Sequence, residues 1–157
     1  VVELPGGSYE APAMQGQTKD NTTLAREAYF LEFAHTLESK TDIPLMTTGG
    51  IKRAEIAERV VQEGCELVGL ASALAITPNL AKKWQQEWTY SGIIPHCTWK
   101  DKSLASLANM AIVRRQLRRL GNNLTTLRSP SPLWSLILDL LHRKKMTKRD
   151  VAFRTSQ

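Results

Sequence analysis

The residues whose types and spacing indicate chemistry are two groups of small residues, each at the end of an apolar run. The run from Ile43 to Thr48 ends at Gly49-Gly50, and the run from Glu66 to Leu70 ends at Ala71-Ser72. Glycine has no Cβ, so its backbone amide can approach a ligand closely. Amides exposed at turns and helix starts bind anions such as phosphate. The two groups predict a phosphate site, although Gly-Gly before a helix is also typical of an ordinary tight turn.

The segments around these groups form a β-α-β pattern. Residues 52–63 carry Ala57, Val60 and Val61 at helical spacing, and Gly64 is typical of the residue that follows a helix. The two runs are short and apolar without strict alternation, which is typical of parallel strands buried on both faces. Val1 to Leu4 is a third such run. Parallel strands in β-α-β order bring both groups of small residues to one edge of the sheet.

Four segments occur in order over about the first 80 residues: VVELPGGSYE from Val1, REAYFLEFA from Arg26, PLMTTGGI from Pro44 and LVGL from Leu67. As a set they resemble the C-terminal part of the Old Yellow Enzyme family, the FMN-dependent NADH:flavin oxidoreductases. The resemblance implies a (β/α)8 TIM barrel with FMN as cofactor. It also implies an ene-reductase activity, in which hydride passes from NADH or NADPH through FMN to an activated alkene such as an enone.

The resemblance also implies a set of cofactor-binding residues. In this family a Gly-Gly after strand seven and a Gly-Arg after strand eight hold the FMN phosphate. Gly49 and Gly50 match the first motif, and the second falls on Ala71 and Ser72, where the arginine is missing. Backbone amides and the Ser72 hydroxyl remain as donors to phosphate. Strands six, seven and eight then correspond to Val1–Leu4, Ile43–Thr48 and Glu66–Leu70.

The length of the chain predicts a fragment of such an enzyme. It has 157 residues, whereas a complete barrel has about 250, and it begins within a strand-like run. We therefore expect three βα units of the barrel without strands one to five, which carry the family's substrate-binding and proton-donating residues. This predicts a chain that has no catalytic residue, is inactive alone, and has the missing N-terminal barrel half as its partner.

Two segments between the first and second predicted strands extend this pattern. Residues 5–21 form a long loop at the carboxyl end of the first strand, where Tyr9, Glu10 and Met14 face a flavin or substrate or else belong to a surface loop. Residues 22–40 form a helix whose apolar stripe contains Phe30, Phe33, Ala34 and Leu37.

The charge distribution separates residues 1–97, the predicted barrel part, from residues 98–157, a basic helical extension. The first part has eight Lys and Arg against twelve Asp and Glu, and the second has thirteen against three.

Thr77-Pro78 predicts the start of a helix with Trp84 and Trp88, which Ser91–Pro95 ends. A helix over residues 103–120, ended by Gly121-Asn122-Asn123, has an inward stripe of Leu104, Leu107, Ala111, Leu117 and Leu120. Ser131-Pro132 starts another, with Leu133, Leu136, Ile137, Leu140 and Leu141 on one face.

Arginines and lysines of the extension leave alternatives open. Arg114, Arg115, Arg118 and Arg119 lie on one side of the first extension helix, and a basic run from Arg143 to Arg149 follows the second apolar stripe. Such a run is typical of a solvated helix face, and it also occurs in proteins that bind nucleic acid or an acidic membrane. Trp99 and Trp134 lie beside apolar stripes, which favours core positions over base stacking. A non-catalytic interaction or nucleic-acid-binding fragment is therefore the alternative function, with nucleic acid the less favoured partner.

Composition limits the remaining classes. No apolar run is long enough to span a membrane, and the cytoplasm is the expected compartment. Cys65 and Cys97 lack the spacing of a metal site or a disulfide framework, and Cys65 is expected to fill a buried apolar position. None of His35, His96 and His142 shares a motif with a nucleophile or carboxylate, so no catalytic role is expected for them.

Overall fold

The chain divides into two compact units in the computed structural model, which describes residues 1–4 and 36–156. The first unit is Val1–Ile94 and the second is Pro95–Gln157, so the boundary lies three residues before the predicted one. The predicted loop with Tyr9, Glu10 and Met14 lies outside the described residues. So does most of the helix predicted over residues 22–40. Of its described residues, 36–38 are helical and 39–40 form a turn, so the helix ends two residues earlier than predicted.

The first unit is built on a three-stranded parallel sheet in the order β1-β2-β3. The strands are β1 (Val2–Leu4), β2 (Leu45–Thr48) and β3 (Leu67–Gly69). All three predicted strands are therefore confirmed, each one or two residues shorter than predicted. The predicted burial on both faces is not found at β1 and β3, where Val2 is 41% exposed and Leu67 is 45% exposed.

The helix α1 (Ala54–Gln62) connects β2 to β3 and forms the core of this unit. Ile56 and Val60 of α1 pack with Leu4, Leu45, Ile51 and Cys65 in one buried cluster. Each such side chain contributes about 1.5 to 3 kcal/mol through the apolar surface that it removes from water. Cys65 thus fills a buried apolar position as predicted, whereas Val61 is half-exposed and not part of the inward stripe.

Gly64 ends α1 as predicted. Its φ of 101° lies in the left-handed region, which is open to glycine without steric cost. The N–H of Gly64 donates to the Val61 carbonyl, and the N–H of Cys65 donates to the Val60 carbonyl, each at 3.2 Å. These are the two hydrogen bonds of a Schellman motif. They turn the chain directly into β3.

Two short helices follow β3 where one helix from Thr77-Pro78 is predicted. They are α2 (Ser72–Ile76) and α3 (Leu80–Gln86). Thr77 is the C-cap of α2 instead of the N-cap of the next helix. Asn79 is the N-cap of α3, two residues later than predicted. Trp88 lies beyond the end of α3 and is 53% exposed, whereas Trp84 lies within α3.

The second unit is a pair of packed helices, α4 (Lys102–Gly121) and α5 (Pro132–Thr155). The Asp101 side chain caps α4 by accepting a hydrogen bond from the Leu104 N–H at 3.0 Å. Ser131 accepts from the Trp134 N–H at 3.3 Å, with Pro132 in the first turn, so the predicted start of α5 is confirmed. Asn123 has a φ of 56° just after α4, at the predicted stop.

Most of the residues predicted to face inward on these two helices do not; Ala111 of α4 is the one that is fully buried as predicted. On α4 the leucines at positions 104, 107 and 117 are 43%, 50% and 53% exposed. The residues that α4 buries are Ala105, Ala108, Ala111, Ile112 and Gln116. On α5 the buried residues are Ser135 and Asp139, while four of the five predicted inward residues are exposed: Leu133, Ile137, Leu140 and Leu141.

A polar network explains why these faces meet. The Asp139 carboxylate, 1% exposed, accepts hydrogen bonds from Arg118 at 2.9 Å and Arg114 at 3.1 Å. Arg115 donates to the Ser135 hydroxyl at 3.2 Å. A buried carboxylate is stable only when it is paired, so α5 must present Asp139 to these arginines. The solvated face predicted for the α4 arginines is therefore wrong.

The loop between α4 and α5 is tied to α4 by a buried glutamine. Gln116 is fully buried and exchanges two hydrogen bonds with the backbone of Leu127, donating to its carbonyl at 2.5 Å and accepting from its N–H at 3.0 Å. Arg119 donates to the Thr125 carbonyl at 2.8 Å. Trp99 packs beside Cys97, Ala105 and Ala108 as predicted. Trp134, also predicted to be core, is 51% exposed.

The described part of the chain has neither a membrane-spanning helix nor a cluster of metal ligands. None of its helices is both long and apolar enough to cross a membrane. Within the same residues, no three His, Cys, Asp or Glu side chains lie together as potential ligands of a metal ion.

Candidate functional site

The candidate site lies where β2 and β3 end. Thr48, the last residue of β2, pairs with Gly69, the last residue of β3. Because the strands are parallel, Gly49-Gly50 and Leu70-Ala71 leave the sheet at the same edge. The structure thus places the two groups of small residues at the ends of neighbouring strands, as the sequence predicts.

Gly49 and Gly50 have backbone angles that favour glycine. Their φ values are 150° and 67°. Residues with a Cβ rarely adopt positive φ, and a β-branched residue there is strongly strained. The turn between β2 and α1 therefore requires glycine for its shape, independently of any ligand.

The segment after the two glycines is held by residues that the sequence analysis did not assign to the site. Ile51 is 3% exposed and anchors the turn in the core. The Gly92 N–H donates to the Lys52 carbonyl at 2.7 Å, and Arg53 forms an antiparallel bridge with Ser91. The Trp84 indole donates to the Tyr90 carbonyl at 3.0 Å, which fixes the same segment from α3.

Gly92 occupies a tightly packed position in this arrangement. A Cβ at Gly92 would lie 3.0 Å from Leu80 Cδ2, 3.2 Å from the Lys52 carbonyl oxygen and 3.3 Å from the Ala73 Cβ. The sequence shows only a Ser-Gly helix breaker at this point. No local signal relates residues 91–92 to the Gly49-Gly50 turn, because the relation is a contact between distant segments.

Gly69 and Thr48 join the ends of the strands. A Cβ at Gly69 would overlap the Thr48 side chain, so the glycine leaves room for the threonine on the neighbouring strand. The Thr48 hydroxyl donates to the Leu4 carbonyl of β1 at 3.4 Å. Thr48 therefore contacts both neighbouring strands at the edge from which the Gly49-Gly50 turn leaves.

Ala71 and Ser72 lie at the start of α2. Ala71 is the N-cap and is exposed, and Ser72 is the first helical residue and is half-buried. The five residues of α2 give it a small macrodipole. Ala71 and Ser72 therefore offer an anion their backbone amides and the Ser72 hydroxyl. Neither residue has a charged side chain.

Two described groups with shifted pKa values lie away from this edge. Burial, followed by the nearby Glu66 and Glu38 carboxylates, raises the pKa of the Cys65 thiol, so it remains protonated and unreactive near neutral pH. Cys65 precedes β3, at the opposite end of the strand from Ala71. Asp139 belongs to α5 in the second unit. The geometry of the edge therefore suits anion binding by backbone groups, and its described residues include no acid-base pair.

Comparison with known proteins gives two relatives. Over 87 aligned residues the chain is 39% identical to the NADH-dependent flavin oxidoreductase iliE of Hypocrea jecorina (strain QM6a), an alignment that covers 52% of this chain and 22% of the relative. The chain is similar to flavin oxidoreductases. It is also 33% identical over 99 residues to the 4,4'-dithiodibutanoate disulfide reductase of Rhodococcus erythropolis, covering 60% of the chain and 25% of that protein.

These relatives confirm the resemblance to flavin oxidoreductases that the four motifs predict. The chain spans about a quarter of the length of the curated relatives that it matches. No protein-family model matches the chain, and no solved structure gives a significant match.

Proposed function

We propose that this chain is the C-terminal part of an FMN-dependent NAD(P)H oxidoreductase of the Old Yellow Enzyme type. In this proposal β1, β2 and β3 are strands six to eight of a TIM barrel, and their carboxyl edge holds the FMN phosphate. The observation that carries the proposal is the Gly49-Gly50 turn, with φ values of 150° and 67° at the end of β2. It occurs in a chain that is 39% identical over 87 residues to an NADH-dependent flavin oxidoreductase.

The residues at this edge fit the phosphate end of a flavin mononucleotide. Gly49 and Gly50 present backbone without a Cβ in the way of an anion, and Ala71 and Ser72 add amides and a hydroxyl from the next strand. The flavin, when bound, supplies hydride transfer between NADH or NADPH and an acceptor. The acceptor class that we propose is an activated alkene, with a disulfide as the second candidate because one relative is a disulfide reductase.

In the proposed enzyme this chain provides cofactor binding without catalytic side chains. The flavin ring and the substrate are bound by an N-terminal barrel half, which completes the sheet next to this segment. The exposed edges favour such an association, because unpaired edge strands offer backbone donors and acceptors to a further strand. We place the complete enzyme in the cytoplasm.

Substitution of Gly50 by valine tests the phosphate site. The assay uses a chimera in which this chain replaces the matching segment of the 39% identical relative, and it follows FMN binding by quenching of flavin fluorescence. Gly50→Val is expected to weaken FMN binding severely, because it adds bulk at the turn and is incompatible with a φ of 67°. Gly121→Val is the matched control, since a Cβ there has no neighbour within 4 Å.

Ser72 provides a graded test of the same site. Ser72→Ala removes at most one hydrogen bond to phosphate, a loss of about 1.5 to 3 kcal/mol if the bond is charge-assisted. Ser72→Arg restores the family's arginine and is expected to tighten binding. If Gly50→Val binds FMN as tightly as Gly121→Val, the phosphate lies elsewhere and the proposed mapping is wrong.

A further inference from the structure

One side of α5 is apolar in its first half and cationic in its second. With about 100° per residue, positions 133, 137, 140, 141, 144, 148 and 151 fall on one continuous surface, which we call the outer face of α5. Its apolar members are well exposed: Leu133 is 59%, Leu140 is 50% and Leu141 is 60% accessible. Trp134, beside this face, is 51% exposed. The buried residues Ser135 and Asp139 lie on the other side of the helix.

The second half of this surface concentrates positive charge. Lys144 and Lys148 lie on the outer face, and Lys145 and Arg149 lie directly beside it; with Leu141 these four cations line one shallow, open groove along α5. Within the described residues, none of these four cations is paired with a carboxylate, since the α5 ion pairs are Arg143 with Asp139 and Arg154 with Asp150. The two acidic residues of α5 lie away from the outer face, so they do not neutralise it.

We propose that the outer face of α5 docks on an anionic lipid surface. A bilayer interface presents the two chemistries that this face requires, an apolar layer and, above it, negatively charged phosphate groups. Apolar residues with an aromatic ring enter the boundary between headgroups and acyl chains, and lysines interact with anionic headgroups. Trp134 and Leu141 supply the inserted part, and the groove cations supply the electrostatic part.

Other occupants fit this surface less well. Nucleic acid satisfies the cations but leaves five exposed apolar side chains unpaired, and single-strand binding needs several aromatic rings between the cations. A second copy of the same face would bring two sets of four unpaired cations together, which costs free energy through like-charge repulsion. An anionic bilayer complements both halves of the face at once.

Vesicle cosedimentation of the full chain tests the proposal. We expect binding to vesicles of phosphatidylcholine with one-third phosphatidylserine and none to phosphatidylcholine alone. The variant Lys144→Gln, Lys145→Gln, Lys148→Gln is expected to bind on the order of a hundredfold more weakly at low salt, since each lysine near an anionic surface contributes about fivefold. The control removes three exposed lysines elsewhere, through Lys82→Gln, Lys100→Gln and Lys102→Gln, and is expected to lose less than threefold.

The apolar half of the face has its own readout. Leu141→Ser is expected to weaken vesicle binding severalfold without changing circular dichroism, because Leu141 is exposed in the free protein. Vesicles are expected to shift the tryptophan emission of the native chain to shorter wavelength, and Trp134→Leu to abolish this shift while binding persists. The proposal is overturned if Leu141→Ser leaves vesicle binding unchanged, or if the vesicle-induced emission shift persists in Trp134→Leu. It is also overturned if duplex DNA competes with vesicles for the native chain, or if the lysine control loses as much binding as the groove variant.

Discussion

At the scale of single residues, Asp139 determines which faces of two helices meet. Burial raises the pKa of this carboxyl group, but hydrogen bonds from Arg118 and Arg114 and their positive charges outweigh burial and hold its pKa below the ordinary value. Arg143 also pairs with this carboxylate, with its Nε atom 3.5 Å from Asp139 Oδ2. One acidic side chain thus compensates three basic ones, and it does so from a position that is 1% exposed.

Replacement of Asp139 by asparagine is expected to destabilise the α4–α5 pair. The variant removes the negative charge and leaves Arg114 and Arg118 without a carboxylate, which costs about 2 to 4 kcal/mol of unfolding free energy. The lower part of that range is expected because both arginines keep part of their hydration. Asp150→Asn is the matched control: its pair with Arg154 is exposed on both sides, so the change is expected to be below about 1 kcal/mol. Urea denaturation followed by circular dichroism measures both.

The pH dependence has a defined sign. The folded-state pKa of Asp139 lies below its unfolded value, so its stabilising contribution is fully present above the unfolded pKa. It is lost as the pH falls through the folded pKa, when the carboxylate is protonated. Native protein is therefore expected to lose more stability than Asp139→Asn between neutral pH and strongly acidic pH. Parallel losses in the two proteins would show that Asp139 does not carry this effect.

At the scale of the helices, α4 packs through alanines and exposes three of its four leucines. Ala108 is 0% exposed and Leu107 is 50% exposed, although the two are adjacent in sequence. Ala108→Leu is expected to destabilise the protein by about 1 to 3 kcal/mol, because it overpacks a closed contact. Leu107→Ala is expected to change stability by less than about 0.5 kcal/mol. If the leucines faced inward, Leu107→Ala would instead cost about 2 to 5 kcal/mol. Thermal or urea unfolding of the two variants decides between these packings.

The elements that were predictable from the sequence are those set by local rules. The end of α1 at Gly64 follows from the left-handed angle that glycine adopts, and the start of α5 follows from Ser131-Pro132 as N-cap and first-turn proline. The glycine turn after β2 was predictable for the same reason. Each of these features depends on a few adjacent residues.

The features that were not predictable depend on distant partners. An apolar stripe on a helix faces inward only if another apolar surface packs against it. The helices α4 and α5 instead meet through Asp139 and its arginines, so their apolar stripes stay exposed. Gly92 supports the Gly49-Gly50 turn from more than forty positions away in sequence, so no spacing rule indicates it. The chain forms two helices here, α2 before Thr77 and α3 after Asn79, with a turn at Pro78 between them. The capping rule for Thr77-Pro78 predicts only the start of one helix.

At the scale of the whole chain, the two compact units differ in charge and in the chemistry of their surfaces. No charged residue lies between Pro95 and Cys97, so the charge count made to position 97 also holds for the first unit. The first unit is therefore the acidic part, with eight Lys and Arg against twelve Asp and Glu, and the second unit is the basic part. The first unit carries the similarity motifs and the glycine edge. The second carries the arginine network and the outer face of α5. We therefore expect cofactor binding and surface docking to be separable by substitution.

The last prediction concerns the activity of the chain as it stands. Its glycine edge offers backbone donors to a phosphate, and the described residues of that edge include no acid-base pair to protonate a substrate. We therefore expect no enone-dependent oxidation of NADH by the isolated chain, even with excess FMN. The measurement follows NADH absorbance at saturating enone against a control without protein. Oxidation above background that requires both enone and FMN, and that disappears in Gly50→Val, would show that the chain is a complete catalyst and would overturn the proposed division of roles.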